Sequence, residues 1–497
     1  MRVFLDGRVL RGLTWFAIAV CCAPALYLRY LPMVELPQYV ALSRMLLHLH
    51  DPQYSFSEYY ELALDRSLAV LPLYLLGGLS ELIPHDAATR AVVWLSVLSY
   101  PLGLCALLRA QGKPIVYVLL GIPLIYPASF YLGLLPSLAS TGLALYMIAL
   151  LHSAQLDRPR LALVSLVLPL THPFSVCVAL SFVGAKLCTE RSSWRQLPWL
   201  GLSPLLLGGA YWGVRAVQAD GVAAFRYPGL AFRLLRVPET ILGGFSSRGE
   251  AYMLGALLVL WLWLMRGQWP THSTRWRALT SSERALWISA AWFLAGYLLL
   301  PSSTWTTGAI HVRSGGIAFA LLPVLLPREL MYVSRTRVIA LLFTLAAGSI
   351  SYTSAQLVRF DREAQPFAAV LERTRQRPKL VSLSYDNRGQ LARGNPYLHF
   401  AAYAQAEHGG FLGLSAVDYS WTAPLRRRQD AAAVPPVFGS EWDPALLQAQ
   451  PDHFRFYDAA ITRGSEPREM TMLTVASFEL AAQSGQWLLY VRPAVSD

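Results

Sequence analysis

Apolar runs close to twenty residues long recur along the first 356 positions of this chain, and no other feature restricts its fold so tightly. They fall near 12–31, 67–83, 90–108, 115–128, 130–152, 160–189, 197–217, 251–265, 285–301, 311–327 and 337–356. A helix rises about 1.5 Å per residue, so ~20 apolar residues match the ~30 Å hydrocarbon core of a bilayer. Charged residues make up only 14% of the chain, against about 25% in an ordinary globular protein, so much of its surface faces something other than water. The pattern predicts a mainly α, polytopic membrane protein with about ten to twelve transmembrane segments.

Charge gives the expected orientation. Residues 357–497 carry 15 basic and 15 acidic side chains, so the whole net charge of +12 lies in 1–356. Much of it sits in short loops such as Arg266/Arg275/Arg277 and Arg328/Arg335/Arg337. Basic residues confined to short loops between apolar runs mark cytoplasmic loops and argue against a nucleic-acid footprint. Arg2, Arg8 and Arg11 precede the first run. Cys22-Ala-Pro-Ala offers small residues near a cleavage position, but apolar character continues to Leu31. An uncleaved anchor with a cytoplasmic N-terminus is expected, and parity then places 357–497 outside.

Two runs are ambiguous. The 67–83 run is short and holds Pro72, and 160–189 is long and interrupted at Thr171-His172-Pro173. Either 67–83 spans and 160–189 crosses once, or 67–83 is re-entrant and 160–189 is a broken hairpin. Arg109, Lys113, Arg158 and Arg160 lie on the cytoplasmic side only in the second scheme, which turns His172 at the outer face.

The chemistry is expected in the outer loops. Residues 33–66 hold Glu35, Asp51, Glu58, Glu61 and Asp65. Glu35 lies between Pro32 and Pro37, which stop helix propagation and set the carboxylate on a defined corner at the membrane boundary. Tyr39 to His50 reads as an amphipathic helix of the kind that lies flat at the interface. Asp51 and Glu58 are the residues that would join Glu35 around a divalent metal, although their spacing is not diagnostic. In 218–250, Arg226, Arg233, Arg236 and Arg248 face outward against three acids, an exception to the charge rule that points to lipid headgroups or a lipid phosphate. His311 and Arg313 stand at the outer end of the 311–327 run, and the planar fork of Arg313 matches phosphate oxygens.

Residues 357–497 read as a soluble extracytoplasmic α/β domain. Strands are expected at Lys379–Tyr385, Tyr457–Ile461 and Trp487–Val491, the last reached by a turn at Ser484-Gly485. A helix is expected over Tyr397–Glu407, closed by Gly409-Gly410. His399, His408, Asp418 and Asp443 are scattered without ligand spacing and read as surface residues. The five cysteines lie in or beside apolar runs, so neither a disulfide framework nor a structural metal is expected. The chain carries no Gly-rich phosphate loop, GxSxG elbow or HExxH pair.

The layout resembles the GT-C superfamily, integral membrane glycosyltransferases that use polyprenyl-phosphate-linked sugars. The resemblance rests on an inward N-terminus, an acid just after the first span in a large outer loop, many further spans and an outward C-terminal domain. It is particularly like the bacterial branch with a D-x-P-x-H-type motif, here Glu35-Leu-Pro37-Gln-Tyr39, followed by Tyr131-Leu-Gly133-Leu and Thr171-His172-Pro173. Glutamate replaces the usual aspartate, and Tyr39 stands where histidine is typical. The resemblance implies a bacterial cytoplasmic-membrane enzyme with Glu35 as catalytic base. It assigns substrate binding to Arg313 and His311, with His172, Tyr39, Arg233 and Arg236 as further candidates. The implied donor is a polyprenyl-phosphate sugar, and the acceptor an envelope glycan, lipid or protein. A silent subunit that binds lipid-linked glycans or scaffolds an envelope complex is the alternative.

Overall fold

The computed structural model describes residues 7–63, 70–152, 157–190, 227–245, 248–266, 273–304, 307–328, 335–420, 423–428, 439–448, 451–464, 473 and 477–493. The expected span at 197–217 and the first part of the 218–250 loop, Arg226 included, lie outside these residues. The chain divides into two compact units. One comprises Met1–Tyr27, Ala91–Tyr131 and Leu135–Gln356; the other comprises Leu28–Arg90, Leu132–Leu134 and Leu357–Asp497. The acidic loop after the first apolar run therefore folds with the C-terminal residues.

The first unit is helical. Among the described residues, four helical segments are long and apolar enough to cross a membrane: Gly7–Tyr27, His85–Ala110, Leu135–His152 and Arg335–Arg373. The 115–128 run differs from its expected form. Pro114, Pro123 and Pro127 remove amide donors, and the chain forms a 3-10 helix over Ile115–Leu124, about 20 Å long and too short to span. The 160–189 run breaks as the sequence indicates. Helix Arg158–Thr171 ends where His172 leaves helical geometry with φ −166°, and Pro173–Thr189 begins at once. His172 caps the new helix, its Nδ1 accepting the Phe174 N–H at 3.1 Å. Both helices pack on Leu135–His152.

Glycine sets one helix crossing in this unit. A Cβ on Gly103 would lie 2.2 Å from the Gly142 carbonyl oxygen, and one on Gly142 would lie 2.1 Å from that of Ser99. Helices His85–Ala110 and Leu135–His152 thus touch backbone to backbone, as small residues permit between apolar helices. The Ser99 hydroxyl spans the same crossing to the Leu138 carbonyl at 3.2 Å.

The second unit is α/β. Its five-stranded sheet runs in the spatial order Phe411–Leu412, Lys379–Ser384, Ala459–Arg463, Trp487–Val491, Glu479–Ser484. The first three strands are parallel and the last two pair antiparallel. Val381, Leu383, Phe411, Tyr457, Ala460 and Tyr490 are among the residues of its core. Tyr30, Phe367, Phe400 and Trp487 form an aromatic cluster that ties the residues after the first helix to this layer.

Helix Leu36–Leu47 belongs to this unit. The expected interfacial helix is instead buried along Leu36, Pro37, Gln38, Val40, Ala41, Leu42, Ser43 and Met45. It packs on Ala401–His408 and Leu71–Ser80. Gln38 Oε1 accepts the Ala416 N–H at 2.8 Å, and Arg44 Nε donates to the Ala406 carbonyl at 3.2 Å. Both contacts are polar ones that a helix lying at a lipid surface does not make. Leu71–Ser80 has ten residues, about 15 Å of helix, which is short of a bilayer. An antiparallel pair, Tyr60–Leu62 with Leu425–Arg427, closes the unit. Gly409 meets Tyr54 so closely that a Cβ would lie 2.5 Å from the Tyr54 carbonyl oxygen, and its φ of +77° is one that glycine adopts freely.

Candidate functional site

Glu35 is the N-cap of helix Leu36–Leu47, with φ −87° and ψ −8°. Pro37 does not stop a helix here. It occupies the first turn, where its missing N–H leaves no bond unmade and its fixed φ suits helix entry. The carboxylate thus sits at the positive end of a twelve-residue helix, where negative charge is favoured. Gly133 fixes this corner from behind. Its φ is +74°, and a Cβ there would lie 2.4 Å from the Glu35 nitrogen. That contact gives the Tyr131-Leu-Gly133-Leu motif a physical reason: only a residue without a side chain fits against the Glu35 backbone.

Two residues of the C-terminal part meet Glu35, and a third, Glu441, stands behind one of them. The Tyr419 hydroxyl donates to Glu35 Oε2 at 3.0 Å and lies 3.3 Å from His399 Nε2. That same imidazole nitrogen is 3.8 Å from Glu35 Oε1. On the far side of the ring, Nδ1 lies 2.7 Å from Glu441 Oε2, and Glu441 Oε1 accepts the His399 backbone N–H at 2.9 Å. The His399 and Glu441 side chains are each 3% exposed, against 30% for Glu35. Two buried groups therefore stand behind one that reaches solvent.

His399 is held in an unusual conformation, with φ +69°, a left-handed geometry that costs a non-glycine residue about 1–3 kcal/mol and persists where surrounding bonds impose it. The double contact with Glu441 imposes it here. Burial pushes the His399 ring toward its neutral form, but the Glu441 charge, the Glu441 hydrogen bond and the Glu35 charge act against that, and its pKa is raised above the ordinary value. Burial, followed by the charges of Glu35 and Glu441, pushes the Tyr419 phenol well up, so the hydroxyl keeps its proton.

The expectation that His399, His408 and Asp418 lie on the surface is corrected. His399 and His408 are buried, and the Asp418 side chain, 4% exposed, pairs with Arg427. A lone polar residue between apolar neighbours reads as surface until its partner is known. Asp443 is exposed, as expected. No local pattern in the sequence marks Tyr419 or Glu441, because Tyr419 meets Glu35 across 384 positions and Glu441 meets His399 across 42.

The other expected site residues take varied places. Tyr39 lies one turn along from Glu35, on the same helix. In the first unit, Arg313 lines a cavity together with Tyr100, Ser129, Ser137, Thr141 and Ser175. The His311 ring stacks on Tyr297 with centroids 6.1 Å apart. Arg233 is buried, and its guanidinium donates to the Tyr297 carbonyl at 2.6 Å and the Pro228 carbonyl at 3.2 Å. Tyr297 returns a hydroxyl bond to the Arg233 carbonyl at 2.6 Å. Arg236 is exposed, stacked on Phe232 and 3.6 Å from Glu239.

For a metal, the structure does not bring Asp51 and Glu58 to Glu35. Asp51 accepts from the Gln53 N–H and pairs with His48 at 3.2 Å. Among the described residues, no three His, Cys, Asp or Glu side chains gather into a cation site.

No protein-family model and no curated protein matches the chain. Solved structures do. ArnT from Cupriavidus metallidurans in the apo state superposes with a TM-score of 0.59 at 12% identity, over 97% of this chain and 98% of that one. The same protein bound to undecaprenyl phosphate gives a TM-score of 0.55 at 12% identity, over 98% of each chain. At such identity the likeness concerns fold alone, and it extends over nearly the whole length of both proteins. The chain shares the fold of ArnT over nearly its full length, a mostly helical architecture with a small sheet in the C-terminal part.

Proposed function

We propose that the protein is a membrane glycosyltransferase. It moves a sugar from a polyprenyl-phosphate donor to an envelope glycan, lipid or protein acceptor at the outer face of the cytoplasmic membrane. One observation carries this reading: a half-buried carboxylate on a helix N-terminus, bonded by Tyr419 and faced by the buried His399–Glu441 pair, in a chain with the fold of ArnT. The ArnT structure with undecaprenyl phosphate supports a lipid-phosphate donor for this fold.

In the proposed reaction, Glu35 Oε1, the oxygen not bonded by Tyr419, removes the proton of the acceptor hydroxyl as that oxygen attacks the anomeric carbon. The bond from the anomeric carbon to the donor phosphate breaks, and the polyprenyl phosphate leaves with the electron pair. Arg313 takes the lipid phosphate. Its cavity is lined by apolar and hydroxyl-bearing residues, which suits a phosphate attached to a hydrocarbon chain. Arg233 braces the backbone through its two carbonyl contacts, and Arg236 serves the headgroup surface.

The test is transfer by the purified protein, reconstituted in lipid vesicles, from a panel of synthetic undecaprenyl-phosphate monosaccharides. Consumption of one donor with release of undecaprenyl phosphate is the expected result. Binding of undecaprenyl phosphate without consumption of any donor would instead support the silent-subunit alternative.

A further inference from the structure

The proton positions around His399 follow from its partners. Glu441 presents a carboxylate to Nδ1 at 2.7 Å, and a carboxylate only accepts, so Nδ1 carries a proton. The Tyr419 hydroxyl has one proton, which it donates to Glu35 Oε2. Toward His399 Nε2, 3.3 Å away, the phenol oxygen is then free to accept, the arrangement that a proton on Nε2 would complete. A ring protonated at both nitrogens is an imidazolium. The groups set against it are two carboxylates, Glu441 and Glu35, and the neutral Tyr419 phenol. Buried charge is tolerated when it is paired and hydrogen-bonded, and this cation is both.

We propose that His399, locked by Glu441, is a cationic positioning residue for Glu35. With the Tyr419 hydroxyl, it supplies the counter-charge and the orientation that leave Glu35 Oε1 directed at an incoming hydroxyl. The inference rests on the reading of Glu35 as the base, and it adds residues that neither the sequence nor the fold likeness assigns. Division of labour between the two carboxylate oxygens is its content. Oε2 is fixed by the Tyr419 bond, whereas Oε1 feels His399 only at ion-pair distance, 3.8 Å, and keeps its lone pairs for substrate. The left-handed backbone of His399 fits this role, because strained residues persist where a side chain must be held in one place. The raised pKa of the ring agrees with the cation proposed from this geometry.

The test uses the full-length protein in lipid nanodiscs, with His399→Gln, Glu441→Gln, Tyr419→Phe and Glu35→Gln as variants. The first readout needs no substrate: NMR titration of labelled histidines, with His399 assigned by its absence in His399→Gln. Its midpoint should lie above the ordinary value of about 6.5. It should fall in Glu441→Gln and, by less, in Glu35→Gln, since each removes a negative charge facing the ring. A wild-type midpoint at or below the ordinary value, or one unmoved in Glu35→Gln, would overturn the proposal. If His399→Gln does not fold, the signal that shifts in Glu441→Gln gives the assignment.

The second readout is kcat and KM for the donor consumed by wild type. His399→Gln and Tyr419→Phe should lower kcat at least about tenfold, as loss of an orienting partner does, and leave KM near wild type. Activity should also fall as pH rises through the His399 midpoint. That alkaline limb should move to lower pH in Glu441→Gln and disappear in His399→Gln. Wild-type kcat and pH profiles in these variants, with Glu35→Gln inactive, would sink the positioning role while sparing the base. Turnover retained in Glu35→Gln would remove the base assignment, and the NMR midpoints would still decide whether His399 and Glu35 are coupled.

Discussion

Arg313, proposed to hold the donor phosphate, and His399, proposed to position Glu35, have separable signatures. Arg313→Ala should weaken binding of undecaprenyl phosphate about 10- to 100-fold, the equivalent of one hydrogen bond to a charged group at about 1.5–3 kcal/mol. Arg313→Lys should recover only part of it, because an ammonium lacks the planar fork. Calorimetric titration in nanodiscs measures both. His399 adds a stability signature. Its folded pKa is raised, so the folded state holds the proton more tightly than the unfolded chain does. That stabilisation is complete below the unfolded value of about 6.5 and is lost as pH rises through the folded value. The melting temperature should therefore decline from near neutral pH upward in wild type, and that decline should be shallower in His399→Gln. An identical pH dependence in the two proteins would remove this assignment. At this scale the sequence was only partly legible. Glu35 stood out through its flanking prolines, whereas Tyr419 meets it from 384 positions away, and no local pattern encodes such a meeting.

Elements place these residues, and glycines decide how closely elements approach. Gly133→Ala would set a Cβ against the Glu35 backbone at a φ that alanine resists. It should destabilise the protein by about 1–3 kcal/mol and reduce transfer along with it, because it displaces the corner that bears the carboxylate. Gly142→Ala should be destabilising through the helix crossing, since its Cβ would meet the Ser99 carbonyl. Gly348→Ala is the control: nothing lies within 4 Å of its Cβ, and alanine favours a helix more than glycine does. Thermal unfolding followed by tryptophan fluorescence ranks the three. The helix break at His172 and the Trp487–Val491 strand were readable from proline and from apolar runs bounded by turn residues. The 3-10 path of Ile115–Leu124 was not, because apolar composition alone does not distinguish a spanning helix from a short buried one.

For the molecule as a whole, composition and hydropathy pointed to a polytopic membrane protein, and four described helices are long and apolar enough to cross a membrane. What the layout hid is which segments fold together. Residues 33–66 look like a loop because they are polar and acidic. Three of their polar side chains instead bond inside the second unit: Gln38 accepts the Ala416 amide, the Tyr60 hydroxyl accepts from Gln405, and Arg44 donates to the Ala406 carbonyl. A buried polar residue and a solvated one have the same letter in a sequence, and only the partner tells them apart. The central claim is that Glu35 is the base of a sugar transfer from a lipid phosphate. Its most direct test is single-turnover release of undecaprenyl phosphate from the donor that wild type consumes, compared with Glu35→Gln at equal donor occupancy. A fall of at least about 100-fold with donor binding intact is the predicted result, and release at the wild-type rate would contradict the account.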